Sequence, residues 1–189
     1  MKKLFYAFLV MASLVQWVNA QEQNKFRVGL DFGYVMPDGG GGILLAIEPK
    51  YNIADNMNVG LRFESAAMAK NVTDSGVTIE ADLAASASYL GTFDYYFHNG
   101  SSSFSPFAGA GVGYSTLANL SFSDFGDDAE AEVDGKFGGL IRAGFELGKF
   151  RVAASYNLIG KTEIEGAEVK NSYLGISLGF YLGGGKWKK

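Results

Sequence analysis

The stretch KFRVGLDFGY, beginning at Lys25, constrains this chain more than any other. Phe26, Val28, Leu30, Phe32 and Tyr34 form one row of large apolar side chains, and Arg27, Gly29, Asp31 and Gly33 form the other. A period of two is the mark of a β-strand with two unlike faces. Which face meets water decides between a soluble barrel and one that sits in lipid.

The same alternation recurs along the chain. ILLAIEPKY sets Ile43, Leu45, Ile47, Pro49 and Tyr51 against Leu44, Ala46, Glu48 and Lys50. MNVGLRFES sets Met57, Val59, Leu61 and Phe63 against Asn58, Gly60, Arg62 and Glu64. A fourth run, about Leu83 to Phe97, opposes Tyr89, Phe93, Tyr95 and Phe97 to Ser86, Ser88, Thr92 and Asp94. SPFAGAGVGY, FGGLIRAGFEL, FRVAASYNL and SYLGISLGFYL continue the pattern, with Arg142, Glu146 and Arg151 on the weaker row. These make about eight strands, an even number that closes antiparallel into a barrel.

The connections carry a second alternation. Those after odd strands, Met36–Gly42, Ala67–Ala81, Ala118–Lys136 and Gly160–Asn171, read as long or glycine-rich. Those after even strands, Asn52–Asn56, His98–Ser103 and Gly148-Lys149, read as shorter. Long loops at one end and short turns at the other, with both termini on the short-turn side, is the arrangement of outer-membrane barrels.

Energetics assigns the faces. Eight strands leave an interior only wide enough for side chains, and eight inward rows of Phe, Tyr, Leu and Ile would overfill it. An interior of Gly, Ser and Ala with a few charges fits. A mid-strand arginine turned to lipid costs roughly 2–4 kcal/mol, so Arg62 and Arg142 alone would consume much of a typical stability of about 5–15 kcal/mol. The apolar rows therefore face lipid. Their aromatic residues, Phe26, Tyr51, Tyr95, Phe97, Phe104, Phe150 and Phe180 at one rim and Tyr34, Tyr114, Phe137 and Tyr156 at the other, form the two belts expected at membrane–water interfaces. The alternative is a soluble periplasmic lipocalin-like binding barrel with the apolar rows inside.

Before Phe26 the chain reads as an export signal: Lys2 and Lys3, the apolar LFYAFLVMASLV, and Val18-Asn19-Ala20. The expected division is residues 1–20 as signal peptide cleaved after Ala20, 21–182 as the barrel, and 183–189 as a short basic tail. Of 16 basic residues the leader holds two, which leaves 14 against 20 acidic, a net charge of −6. That balance argues against nucleic acid as a partner. With no Cys there is no disulfide, thiol nucleophile or acylated lipoprotein cysteine.

These segments resemble the small outer-membrane β-barrels of the OmpA/OmpX/OmpW-like kind. The resemblance rests on NMNVGLRFE, DYYF, SPFAGAGVGY, RAGFELGKFRVAASYN and the closing YLGISLGFYL, and covers about Phe26 to Leu182. It implies an eight-stranded antiparallel up-and-down barrel with a narrow lumen in the cell outer membrane. The barrel-assembly machinery and membrane lipid would be its partners, with an extracellular ligand or surface partner at the loops. GGGKWKK follows Leu182 where such barrels often finish on an aromatic residue.

The chemistry is sparse. Arg27, Asp31, Glu48, Arg62, Glu64, Asp94, Arg142, Glu146 and Arg151 are expected to meet inside as a network of ion pairs, because buried charges need partners. Such a network acts either as a structural plug or as a gate. Asp124, Asp127, Asp128 and Glu130 lie in an acidic loop, SDFGDDAEAEVDG, without EF-hand spacing; it reads as a solvated loop or a weak cation site. GAGVGY lacks the third glycine and helix of a dinucleotide loop, and Gly39–Gly42 lacks the Lys-Ser/Thr of a phosphate loop. The single His98, near Ser101–Ser103, lacks an evident acid partner. The sequence therefore points to a monomer without enzymatic activity, cofactor or metal. Its role is envelope-structural or surface-interacting; the alternatives are a narrow channel for ions or small solutes, or a lateral path for small apolar ligands.

Overall fold

The computed structural model describes residues 23–37, 39–74, 77–97, 103–120, 133–160, 162–164, 167–169 and 171–184. The leader, the acidic-loop residues Asp124, Asp127, Asp128 and Glu130, His98 and the tail beyond Gly184 lie outside them.

Among the described residues ten strands follow one another: β1 (Phe26–Pro37), β2 (Gly40–Ala54), β3 (Met57–Asp74), β4 (Val77–Tyr96), β5 (Phe104–Leu120), β6 (Val133–Leu147), β7 (Phe150–Ile159), β8 (Thr162–Ile164), β9 (Ala167–Val169) and β10 (Tyr173–Gly183). β1 to β7 and β10 close into one barrel in the order β1-β10-β7-β6-β5-β4-β3-β2. Every neighbouring pair is antiparallel. β8 and β9 form a separate small hairpin. This is the expected closed up-and-down architecture. Closure leaves no free edge around the girdle, and a bilayer demands that of any strand structure.

The odd connections differ from the sequence reading. Ala67–Ala81 is mostly strand: β3 and β4 continue as a ladder to Asp74 opposite Val77. β5 reaches Leu120, and Ala118 still pairs with Val133. Gly160–Asn171 contains the β8–β9 hairpin. The polar, low-hydropathy composition of these stretches reads as loop. Backbone pairing does not need an apolar face, so the strands continue where the alternation fades. Strand lengths of 18, 20, 17 and 15 residues for β3 to β6, against 12, 10 and 11 for β1, β7 and β10, make the wall taller on one side.

The turns after β2 and β6 are short, two residues each; most of His98–Ser103 lies outside the described residues. Gly148 adopts φ +63° in the two-residue link from β6 to β7, a left-handed conformation that such hairpins need and glycine takes freely. Gly39 does the same at φ 75° between β1 and β2, where the stretch read as the connection Met36–Gly42 is mostly strand and only two residues separate Pro37 from Gly40.

The two faces sort without exception among the large side chains of β1, where burial alternates residue by residue. Arg27 and Asp31 are buried, while Phe32 and Tyr34 are more than half exposed. Along β5, Phe104 and Tyr114 are both exposed and ten residues apart. At ~3.3 Å per residue and a tilt of about 40°, that separation spans roughly 25 Å along the barrel axis, the height of an outer-membrane apolar band.

Candidate functional site

The chemistry of the barrel is concentrated in its interior. Five cations, Arg27, Lys50, Arg62, Arg142 and Arg151, and five anions, Asp31, Glu48, Glu64, Asp94 and Glu146, are all buried. The fully buried charges therefore balance, and each has an oppositely charged neighbour at hand. All nine charged residues singled out in the sequence lie on the inward face, and Lys50 joins them.

Glu48 on β2 is the hub. Arg142 grips it with both guanidinium nitrogens, Nη2 donating to Oε1 at 2.6 Å and Nη1 to Oε2 at 3.0 Å. Arg62 and Arg151 approach Oε2 at 3.4 and 3.3 Å, Lys50 lies 3.5 Å away, and the Thr92 hydroxyl donates at 2.7 Å. Arg142 also donates to Asp94, Nε to Oδ1 at 2.8 Å and Nη2 to Oδ2 at 2.9 Å, and Lys50 completes Asp94's pairing. Arg62 ties this centre to Asp31 and to Glu64, the latter at 2.7 Å. Charge-assisted pairs in this forked geometry are the strongest hydrogen bonds a protein makes.

The register explains why these side chains meet. Asp94 stands opposite Gly109, and Gly109 opposite Arg142, on three successive strands. A Cβ on Gly109 would lie 1.9 Å from Asp94 Oδ1, so the absent side chain is the space through which carboxylate and guanidinium approach. Gly179 stands likewise between Asp31 and Arg151, its notional Cβ 2.1 Å from Asp31 Oδ1.

Toward the termini the network is floored by aromatic residues. Tyr96 donates to Glu146 at 2.7 Å and accepts from Arg27, which also pairs with Glu146 at 3.0 Å. Arg27 stacks over the Tyr181 ring at 4.2 Å, and Arg151 over Phe107 at 4.5 Å. Arg151 donates to the Tyr181 hydroxyl at 2.7 Å. At the other end Tyr173 and Asn157 bond Glu64 at 2.7 and 3.2 Å. Above them Val35, Leu44, Ala66, Met68, Leu117 and Ile159 pack into one buried apolar cluster with the Tyr173 ring.

That cap departs from the expectation of a lumen holding only Gly, Ser, Ala and charges. Leu44 stands on the inward row of its strand in the sequence, but its partners and the inward tyrosines at 96, 173 and 181 do not stand out there. Parity along each strand places all of them. Adjacent Tyr95 and Tyr96 in DYYF, for instance, must point to opposite faces. Aromatic residues populate both faces, so residue type alone does not mark the inward ones.

Ser103, the one member of the candidate His–Ser cluster within the described residues, lies next to β5 at the turn end; its neighbour His98 is outside them. No group of three or more potential metal ligands occurs among the described residues.

No family model and no curated protein matches this chain. Solved structures do. Neisserial surface protein A aligns with 85% of this chain and 97% of its own at a TM-score of 0.59 and 15% identity. The outer membrane protein OprG from Pseudomonas aeruginosa aligns with 87% of this chain and 98% of its own at 0.54 and 14%. Both are matched over nearly their whole length, and the shared property is the small barrel fold.

Proposed function

We propose that this chain is an integral outer-membrane β-barrel that spans the bilayer without conducting and serves as a rigid frame for the segments at its far end. The observation that carries the reading is the inversion of its two faces. Ten charges are inside, while Phe32, Leu178, Val112 and Phe137 are 58 to 74% exposed in a continuous girdle. Soluble monomers rarely expose contiguous apolar patches above a few hundred Å², and a lipid phase removes that cost. The likeness to barrels of outer-membrane origin supports the same placement.

Non-conduction follows from what fills the lumen. A solute path would have to part the Glu48–Arg142–Asp94 centre and also wet the Leu44–Met68–Leu117 cap, and apolar constrictions stop ions by dewetting. The network thus acts as a structural plug, and specificity belongs to the connections, where binding residues concentrate. A monomer anchored in lipid and delivered by the assembly machinery suffices for this role, with a surface partner as its ligand. Catalysis has no part in it; unchanged envelope lipid profiles in cells carrying His98→Ala would retire the enzymatic alternative.

Fractionation with heat-modifiable gel mobility tests the placement. The protein should be recovered with outer membrane and migrate faster unheated; recovery as a soluble periplasmic protein would refute it. Planar-bilayer recording tests the plug. Wild type and Arg142→Ala should both show no conductance steps, and steps in wild type would favour the channel reading.

A further inference from the structure

The wall closes where β1 meets β10, and this seam differs from the others. Neighbours elsewhere in the ring follow one another along the chain, β7 and β10 through the small β8–β9 hairpin, whereas β1 and β10 are the first and last strands. Their ladder runs from Pro37 opposite Tyr173 to Arg27 opposite Gly183, and no connection of its own joins the two strands. The two-residue links after β2 and β6 hold the last pairs of β2–β3 and β6–β7 together covalently. At the same end of the β1–β10 seam, hydrogen bonds stand in place of a link.

Each terminal segment is first moored to the hairpin beside it. Before β1, the Asn24 amide donates to the Asn52 carbonyl at 2.8 Å, and the Asn52 amide to the Lys25 carbonyl at 2.9 Å. The Gln23 amide donates to Asp55 Oδ1 at 3.0 Å. After β10, Lys149 of the β6–β7 turn holds the chain. Its carbonyl accepts from the Tyr181 amide at 2.9 Å. Its ammonium donates to the Gly183 carbonyl and, at 3.3 Å, to the Gly184 carbonyl. A cationic donor makes these bonds stronger than neutral ones.

Gly183 and Gly184 bend the exit back. Both have positive φ, 79° and 64°, which glycine adopts without a Cβ penalty. The bend aims the Gly184 amide across the seam, where it donates to the Phe26 carbonyl at 2.9 Å, one step beyond the last ladder pair. It also lays Gly184 on the stem of Arg27: a Cβ there would lie 3.2 Å from Arg27 Cβ and 3.3 Å from its Cδ. Arg27 is the cation that pairs with Glu146 and Tyr96 at this end of the lumen. The exit bend therefore touches both the seam and the lumenal network.

We infer that Lys149, Gly183 and Gly184 form a latch that stands in for a hairpin turn, and that the barrel opens first where this latch holds β10 to β1. When the Lys149 ammonium lets go, the bend is freed, the Gly184–Phe26 bond goes with it, and the ladder unzips from Arg27–Gly183 onward. A pair joined by a two-residue turn re-forms readily, whereas the seam joins opposite ends of the chain and has the largest loop to close. The same release removes the packing against the Arg27 stem and lets water reach Glu146 from the turn end. The latch follows from closure alone, so it operates in a detergent micelle as in a bilayer.

Hydrogen exchange of the mature chain in micelles, followed residue by residue by NMR, reads such local opening. In wild type, amides bonded across β1–β10 near Arg27 and Gly183 should exchange faster than those across β6–β7 near Glu146 and Arg151. Lys149→Met should speed the seam amides by about tenfold and leave those across β3–β4 near Phe63 and Tyr89 unchanged. Lys149→Arg, which keeps a cationic donor, should restore wild-type rates. Gly184→Ala, strained at φ 64° and crowded against Arg27, should act as Lys149→Met does. Equal protection of the two seams in wild type overturns the latch, and that measurement needs no variant. An effect of Lys149→Met spread evenly over β3–β4, no effect at the seam, or no rescue by Lys149→Arg overturns it as well.

Discussion

Replacing Arg142 with methionine isolates the centre of the lumenal network. The change removes four charge-assisted hydrogen bonds, two to Glu48 and two to Asp94, and leaves the interior with one uncompensated negative charge. Removing one partner of a buried pair costs about 3–5 kcal/mol, because the other is left desolvated and charged. Glu48 keeps Lys50, Arg62, Arg151 and Thr92, and Asp94 keeps Lys50, which places the expected loss toward ~3 kcal/mol. The second variant, Asp94→Asn with Arg142→Met, restores neutrality and removes the carboxylate most dependent on Arg142. The double variant should therefore be more stable than Arg142→Met alone, with a coupling of at least about 1 kcal/mol. Equilibrium urea unfolding in lipid vesicles, followed by far-ultraviolet circular dichroism and gel mobility, measures both. A loss below ~1 kcal/mol for the single variant, or strict additivity in the double, would show that the network is not coupled as its geometry implies.

Four further substitutions probe other parts of the barrel. Gly109→Ala should cost about 1–3 kcal/mol by forcing a methyl into Asp94. Outward Gly91→Ala, whose nearest neighbour would be 3.8 Å away, should fall within ~0.5 kcal/mol in the same unfolding assay. Val112→Arg, at an outward site 64% exposed, should destabilise by roughly 2–4 kcal/mol in vesicles if lipid covers it; a neutral result would favour the soluble alternative. Tyr173→Phe removes a 2.7 Å bond to buried Glu64 and should cost about 1.5–3 kcal/mol, read as a lowered urea midpoint with an unchanged slope.

The far-end wall and the lumenal cap show where sequence reading stopped. Lys70 to Asp82 carries too little apolar alternation to read as strand, yet β3 and β4 go on pairing there, from Lys70 opposite Asp82 across an irregularity to Asp74 opposite Val77. Backbone hydrogen bonds are indifferent to side-chain polarity, and once a ladder has begun it extends as far as both strands do. Val35, Leu44, Met68, Leu117 and Ile159 are far apart in sequence and unremarkable singly; only closure of the barrel brings them into one cluster. Lys50 was legible as inward by parity, but its meeting with Asp94 depends on how β2 and β4 face each other across the lumen.

The sequence by itself determined that this chain makes strands and which side chains share a face. A period of two is local, and Arg27 and Asp31 can never stand beside Phe26 and Phe32. It also settled that the charged residues share one face and that the other carries an apolar row along each strand. The tertiary structure decided the rest. Register and closure set which inward residues meet across the lumen and how the five cations are shared among five anions. Those are relations between residues up to about a hundred positions apart, as between Arg142 and Glu48, and no local pattern encodes them.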